Sequence, residues 1–188
     1  MLANKIFLGR LFVSFVLLQT SILGIARAQD GLDDPMYAED YERARKIATN
    51  SQPVKRADLL LVFMKERSNM DSKIRDYVNS LLLQDLEKLG KQSNHAALKD
   101  YCERALGMRP LFGEVYLYYG MALKGLQKMP EALNAFAKGS QLRSPLKTRA
   151  EQQLNALYRS SHKGSLVGKD KLIAEARKEL QKLEAKKK

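Results

Sequence analysis

Apolar residues recur along most of this chain at three- and four-residue intervals, the spacing of one face of an α-helix. The first such stripe runs from Met36 to about Thr49, with Tyr37, Tyr41, Ala44, Ile47 and Ala48 on one side. Asn50-Ser51-Gln52-Pro53 stops it, because proline brings no N–H to a continuing helix. A second helix is predicted from Val54 to about Arg67. Its run Leu59-Leu60-Leu61-Val62-Phe63-Met64 is nearly continuous, which predicts deep burial. A buried strand gives the same run; the length and the Lys65-Glu66-Arg67 ending favour helix. Asp71-Ser72 opens a third helix to about Gly90, with Leu81, Leu82, Leu83, Leu86 and Leu89 on its apolar side. Ser93 or Asn94 caps a fourth, which ends at Leu106 or Gly107 before Arg109-Pro110. A fifth spans 111–126. Pro130 falls in the first turn of a sixth, where proline is tolerated, and Ser144-Pro145 ends it. A seventh runs from about Pro145 to Ser161. After a looser loop over 162–168, an eighth covers Lys169 to Ala185, with Leu172, Ile173, Ala176, Leu180 and Leu183 on one face. The expectation is an all-α chain of about four antiparallel helix pairs.

One stretch has a more specific pattern. It reads Tyr116-x-x-Tyr119-Gly120-x-x-Leu123, then Ala132-x-x-x-Phe136, then Pro145. Small residues mark helix crossings, and the bulky ones fill the space around them. The pattern resembles the tetratricopeptide repeat. A register 34 residues earlier gives Leu98, Tyr101, Cys102, Ala105 and Pro110, with Leu86 where the glycine should be; a later partial copy is Leu154-Asn155-x-x-Tyr158. The resemblance covers 79–161. It implies an α-α superhelix, a stack of helix pairs whose apolar faces are buried by neighbours. Tyr116, Tyr119, Gly120, Leu123, Ala132, Phe136 and Pro145 are then its packing residues. The resemblance further implies that the first helix of each pair lines a concave groove, here Leu83, Glu87, Glu114, Leu117, Met121, Lys124, Gln152 and Arg159. The segment 36–78 is either a diverged pair or an N-terminal cap, and 162–188 is a basic loop and capping helix.

The N-terminus changes the picture of where this chain works. Lys5 and Arg10 precede a mostly apolar run from Leu11 to Gly24, and Ala26-Arg27-Ala28 follows. That is the layout of a secretory signal peptide cleaved after Ala28, with an uncleaved membrane anchor as the alternative. The product is expected to be exported, and periplasmic in a Gram-negative source. Residues 29–35 form an acidic lead-in. Without Lys5, Arg10 and Arg27, 30 basic residues face 21 acids, a formal charge of +9. Nine basic and four acidic residues fall between His162 and Lys188. Such a balance favours anionic partners. Glu175, Glu179 and Glu184 interleave with these cations, so a solvated helix face is the plainer reading. With a lone Cys102, no disulfide can form within the chain.

Candidate chemistry adds little. His95 and His162 have no metal-ligand spacing and read as exposed structural residues. No nucleophile elbow or phosphate loop appears. Cys102 reads as a small core thiol. The register puts Tyr116 and Tyr119 inside and leaves Tyr118 less constrained. No metal, cofactor or nucleic acid is expected, and no enzymatic activity. The expected function is non-catalytic: a protein-interaction module or assembly adaptor in the cell envelope, holding a partner segment in the groove. The alternative is a peripheral binder of anionic lipid or cell-wall polymer through the basic C-terminal helix.

Overall fold

The computed structural model describes residues 35–186. The expected leader over 1–28, the lead-in as far as residue 34, and Lys187 and Lys188 lie outside the described residues. Those described form eight helices and no strand: α1 (Pro35–Ala48), α2 (Pro53–Glu66), α3 (Ser72–Lys91), α4 (His95–Met108), α5 (Gly113–Gly125), α6 (Met129–Gln141), α7 (Lys147–Ser161) and α8 (Lys169–Ala185). The chain is therefore all-α over this span. By packing it divides into two units, the first ending at Arg45 and the second beginning at Lys46. In the first, Tyr37 stacks on Tyr41 with ring centroids 6.2 Å apart. Arg45 lies 5.9 Å over the Tyr41 ring and pairs with Glu42 at 3.2 Å.

Local signals set most helix boundaries in the second unit. Pro53 opens α2 and Pro130 sits in the first turn of α6. Asp71 accepts the Lys73 N–H at 2.7 Å, and Asn94 accepts that of Ala97 at 3.3 Å, so two otherwise orphaned donors are satisfied. Three helices end in the same way, and none uses glycine for the turn. Ser93, Gln127 and Lys163 have φ of 55°, 60° and 50°. At each, the next residue's N–H reaches back over the last turn: Asn94 to the Leu89 carbonyl, Lys128 to that of Leu123, Gly164 to that of Arg159. This left-handed cap closes α3, α5 and α7. The first two copies are 34 residues apart and the next two 36.

Helices of the second unit pack largely in chain order: α2 on α3, α4 on α5, α5 on α6 and α6 on α7. Gly120 and Phe136 mark the α5–α6 crossing. A Cβ on Gly120 would stand 2.5–2.6 Å from the Phe136 ring, so no side chain fits there while the ring holds its place. Phe136, Leu117, Leu123 and Leu154 are wholly or almost wholly buried in one core. Ala132 and Ala150 lie in the same core, where their small size lets helices approach. The last helix packs on α6 through a core that includes Ala176. Lys138 of α6 and Glu179 of α8 pair at 2.7 Å, and the lysine holds the Glu179 carboxyl below its ordinary range. Glu179 is 46% exposed, so this pair orients more than it stabilises.

A polar tie was not foreseen. The Arg56 guanidinium donates to both Asp85 oxygens, Nε to Oδ2 at 2.8 Å and Nη2 to Oδ1 at 2.5 Å. Its third nitrogen faces the carbonyls of Ala48 and Asn50, each at 3.4 Å. Asp85 has no exposed surface. One side chain thus joins α2, α3 and the turn that precedes α2. The bond to Asp85 raises the Arg56 pKa further, against the opposing effect of burial.

Three expectations need correcting here. The boundary at 78/79 falls inside α3, which is continuous from Ser72 to Lys91. Pro145 is exposed in the turn between α6 and α7, so it breaks the chain direction without filling the core. Tyr118 is as buried as Tyr116, whereas Tyr119 is half-buried with its hydroxyl 2.9 Å from Glu103.

Three phenols should report this packing. Burial first, and then a nearby carboxylate, pushes Tyr101, Tyr116 and Tyr119 up to about 12. The carboxylates are Asp58, Glu179 and Glu103 respectively. The folded values lie above the unfolded one near 10, so the stabilisation is full below that pH and is lost as pH rises towards 12. An absorbance titration of the eight tyrosines is expected to show at least three late phenolates, which return to the ordinary value in denaturant. A single ordinary transition in the folded protein would contradict the packing around α5.

Candidate functional site

The predicted groove residues differ in how far they reach the surface. Leu117 is wholly buried in the core, because the α5 face that carries it meets other helices. It cannot offer its side chain to a partner, and a charge placed there would probe stability instead of binding. Leu83, Glu87, Glu114 and Met121 are half-buried, and Lys124, Gln152 and Arg159 are exposed. Met121 packs against the same core as Leu117. Glu87 is engaged by Lys91 at 3.0 Å, which lowers its pKa, with a smaller contribution from Arg149. The Tyr118 phenol feels both Glu87 and Arg149, so α3, α5 and α7 do present charge to one another on this side. Arg149 was not among the expected residues.

A cleft of about 590 Å³ opens elsewhere in the second unit, and none of the eight expected groove residues lines it. The last turn of α2 contributes Met64 and Lys65, and Ser68 follows in the turn. The start of α3 contributes Arg75 and Asn79. The end of α4 brings Met108 and Arg109, and the linker to α5 adds Leu111 and Phe112. The wall therefore mixes four apolar side chains with three cations and the polar Ser68 and Asn79. Arg109 Nη1 donates to Asn79 Oδ1 at 2.6 Å, which fixes one edge of the guanidinium. Burial, and then the Arg75 charge beside it, depresses the Arg109 pKa, and Asp76 opposes this in part. Among the described residues, neither arginine forms an ion pair.

Helix electrostatics explain only some of these charges. Lys65 lies in the last turn of α2 and Arg109 caps the end of α4, where cations suit the negative end of the helix dipole. Arg75 lies at the opposite kind of end. The Asp71 carboxylate caps that end and offsets its positive pole, and Arg75 lies in the following turn beside Arg109. A second cavity, of about 380 Å³, lies between α5 and α6 with Tyr116, Tyr119 and Lys138 in its wall. Lys138 is already held by Glu179.

The remaining candidates fall outside both cavities. Cys102 is wholly buried, and burial pushes its thiol well above the ordinary value. His162 is exposed and stacks on Tyr158 at 3.9 Å, with Nδ1 2.9 Å from the Tyr158 carbonyl. His95 corrects the sequence reading. Its ring is half-buried and packed where a Cβ on Gly125 would be, and Nδ1 is buried without a hydrogen-bond partner. On α8, Lys169 is bonded to Asn155 and Arg177 to Gln141, while Lys171, Lys178 and Lys182 are exposed. No group of three metal-ligating side chains is found among the described residues, and no described helix is long and apolar enough to cross a membrane. Comparison with protein-family models, with curated proteins and with solved structures finds no match.

Proposed function

We propose that this chain is a non-catalytic interaction module of tetratricopeptide-like build, exported to the cell envelope, that holds a segment of another protein against its helical stack. The observation that carries this reading is the left-handed cap repeated at Ser93, Gln127 and Lys163. The 34-residue step between the first two caps is the period of that repeat, and the next step is 36. The Gly120–Phe136 crossing falls where its small and large positions meet. Stacked helix pairs bury their faces on one another and leave extended surfaces for binding. Export rests on the leader pattern over 1–28, and the mature chain then begins at Gln29.

The test is capture of partners from envelope extract at low and high salt, with Leu83→Glu/Met121→Lys and Arg75→Gln/Arg109→Gln as controls. One partner, kept at high salt and lost in either control, is the expected result. Equal capture by wild type and both controls overturns the reading. The exposed Lys171, Lys178 and Lys182 favour one other reading, a peripheral binder of anionic lipid or wall polymer. Capture through exposed lysines would fall steeply with salt and would survive both controls.

A further inference from the structure

We infer that the cleft at the ends of α2 and α4 takes an acidic peptide segment, one carboxylate lying between Arg75 and Arg109 and a neighbouring apolar side chain resting on Met108, Leu111 and Phe112. This rests on the reading of the chain as an interaction module and moves the recognition site away from the expected groove.

Three features of the cleft point the same way. The first is electrostatic. Two guanidinium groups that form no ion pair among the described residues line the cleft, and Arg109 feels the charge of Arg75 more than that of Asp76 nearby. An anion between them offsets the repulsion between the two guanidinium groups, which Asp76 opposes only in part. Arginine recognises a carboxylate through two parallel N–H donors, and Arg109 is pre-oriented for this by Asn79. The second is the apolar wall. A bare inorganic anion would leave the half-buried Met108, Leu111 and Phe112 uncovered. A ligand with an apolar group next to its charge uses both. The third is size and the remaining polar groups. About 590 Å³ falls in the range of sites that enclose small organic ligands or short segments. Ser68 and Asn79 add hydroxyl and amide groups suited to a peptide backbone.

The methionines make the test local. Met64 and Met108 line the cleft, whereas Met121 and Met129 pack against the α5–α6–α7 core. Methyl-labelled full-length protein is titrated with an end-blocked Asp-Phe-Asp-Leu peptide and with its Asn-Phe-Asn-Leu counterpart. The acidic peptide is expected to shift the Met64 and Met108 methyls saturably, and the amide counterpart to bind about tenfold more weakly or worse. Arg75→Gln and Arg109→Gln are each expected to lower affinity by about tenfold, with partial recovery in Arg75→Lys. Arg75 is exposed, so its variants stay folded, and circular dichroism checks this. Separate arms use inorganic phosphate and phosphatidylglycerol vesicles.

Equal binding of the two peptides overturns the inference. So does an equal response to phosphate, or displacement of the peptide by vesicles. Shifts confined to Met121 and Met129 also overturn it, but leave the interaction-module reading standing. No shift at any methyl overturns it as well, and partner capture then decides the broader reading alone.

Discussion

Gly120→Leu is expected to lower the melting temperature by about 6–12 °C. The cost is of order 3 kcal/mol, the upper end of overpacking penalties, and a chain of this size loses about 2–4 °C per kcal/mol. The cause is specific. A Cβ at position 120 already meets the Phe136 ring at 2.5–2.6 Å, and that ring has no exposed surface. It is enclosed by the same core that holds Leu123 and Leu154, so it cannot swing away. Gly120→Ala should therefore be destabilising as well, although alanine is the better helix former by about 1 kcal/mol. The rescue is equally specific. Phe136→Leu costs stability alone, but combined with Gly120→Ala the two losses should not add. Strictly additive melting data would mean that the two residues do not share one crossing.

Asp85→Ala should cost about 3–5 kcal/mol, the range for removing one partner of a buried ion pair. The loss leaves the Arg56 charge enclosed, with only the two longer contacts to Ala48 and Asn50. Asp85→Asn keeps the shape and one acceptor, so it should lie between wild type and alanine. The double change Arg56→Met/Asp85→Leu should recover most of the stability, because apolar groups of similar volume often replace a buried pair without loss. Urea denaturation of the three variants and the wild type measures this. If the double variant is as unstable as Asp85→Ala, the pair contributes more than neutralising a buried charge.

The helices were legible because their signals are local. Pro53, Pro130, Asp71 and Asn94 mark starts by backbone chemistry that involves only nearby residues. The caps at Ser93, Gln127 and Lys163 were not legible, because positive φ at a residue with a side chain leaves no composition signal. Asp85 could have been noticed. It lies four residues from both Leu81 and Leu89, on the apolar stripe of α3, where an unpaired carboxylate would be untenable. Its partner Arg56 is 29 residues away, and no local rule connects them. Leu117 failed as a groove residue because a repeat register assigns faces by analogy. The α5 of this chain is buried on more sides than the analogy assumes: Val115, Tyr116, Leu117 and Tyr118 are all enclosed. The cleft was missed for a geometric reason. Lys65, Arg75 and Arg109 belong to three separate helix ends, and they read as scattered surface charge until the helices pack.

The sealed position of Cys102 also has a practical consequence. The sole thiol of the chain is shut inside the protein and held protonated. A cysteine introduced at Ser68, on the wall of the cleft, would be the one sulfur that a maleimide dye or nitroxide reaches in the native state. Single-site fluorescence or spin labelling beside the cleft would then require no cysteine-free background.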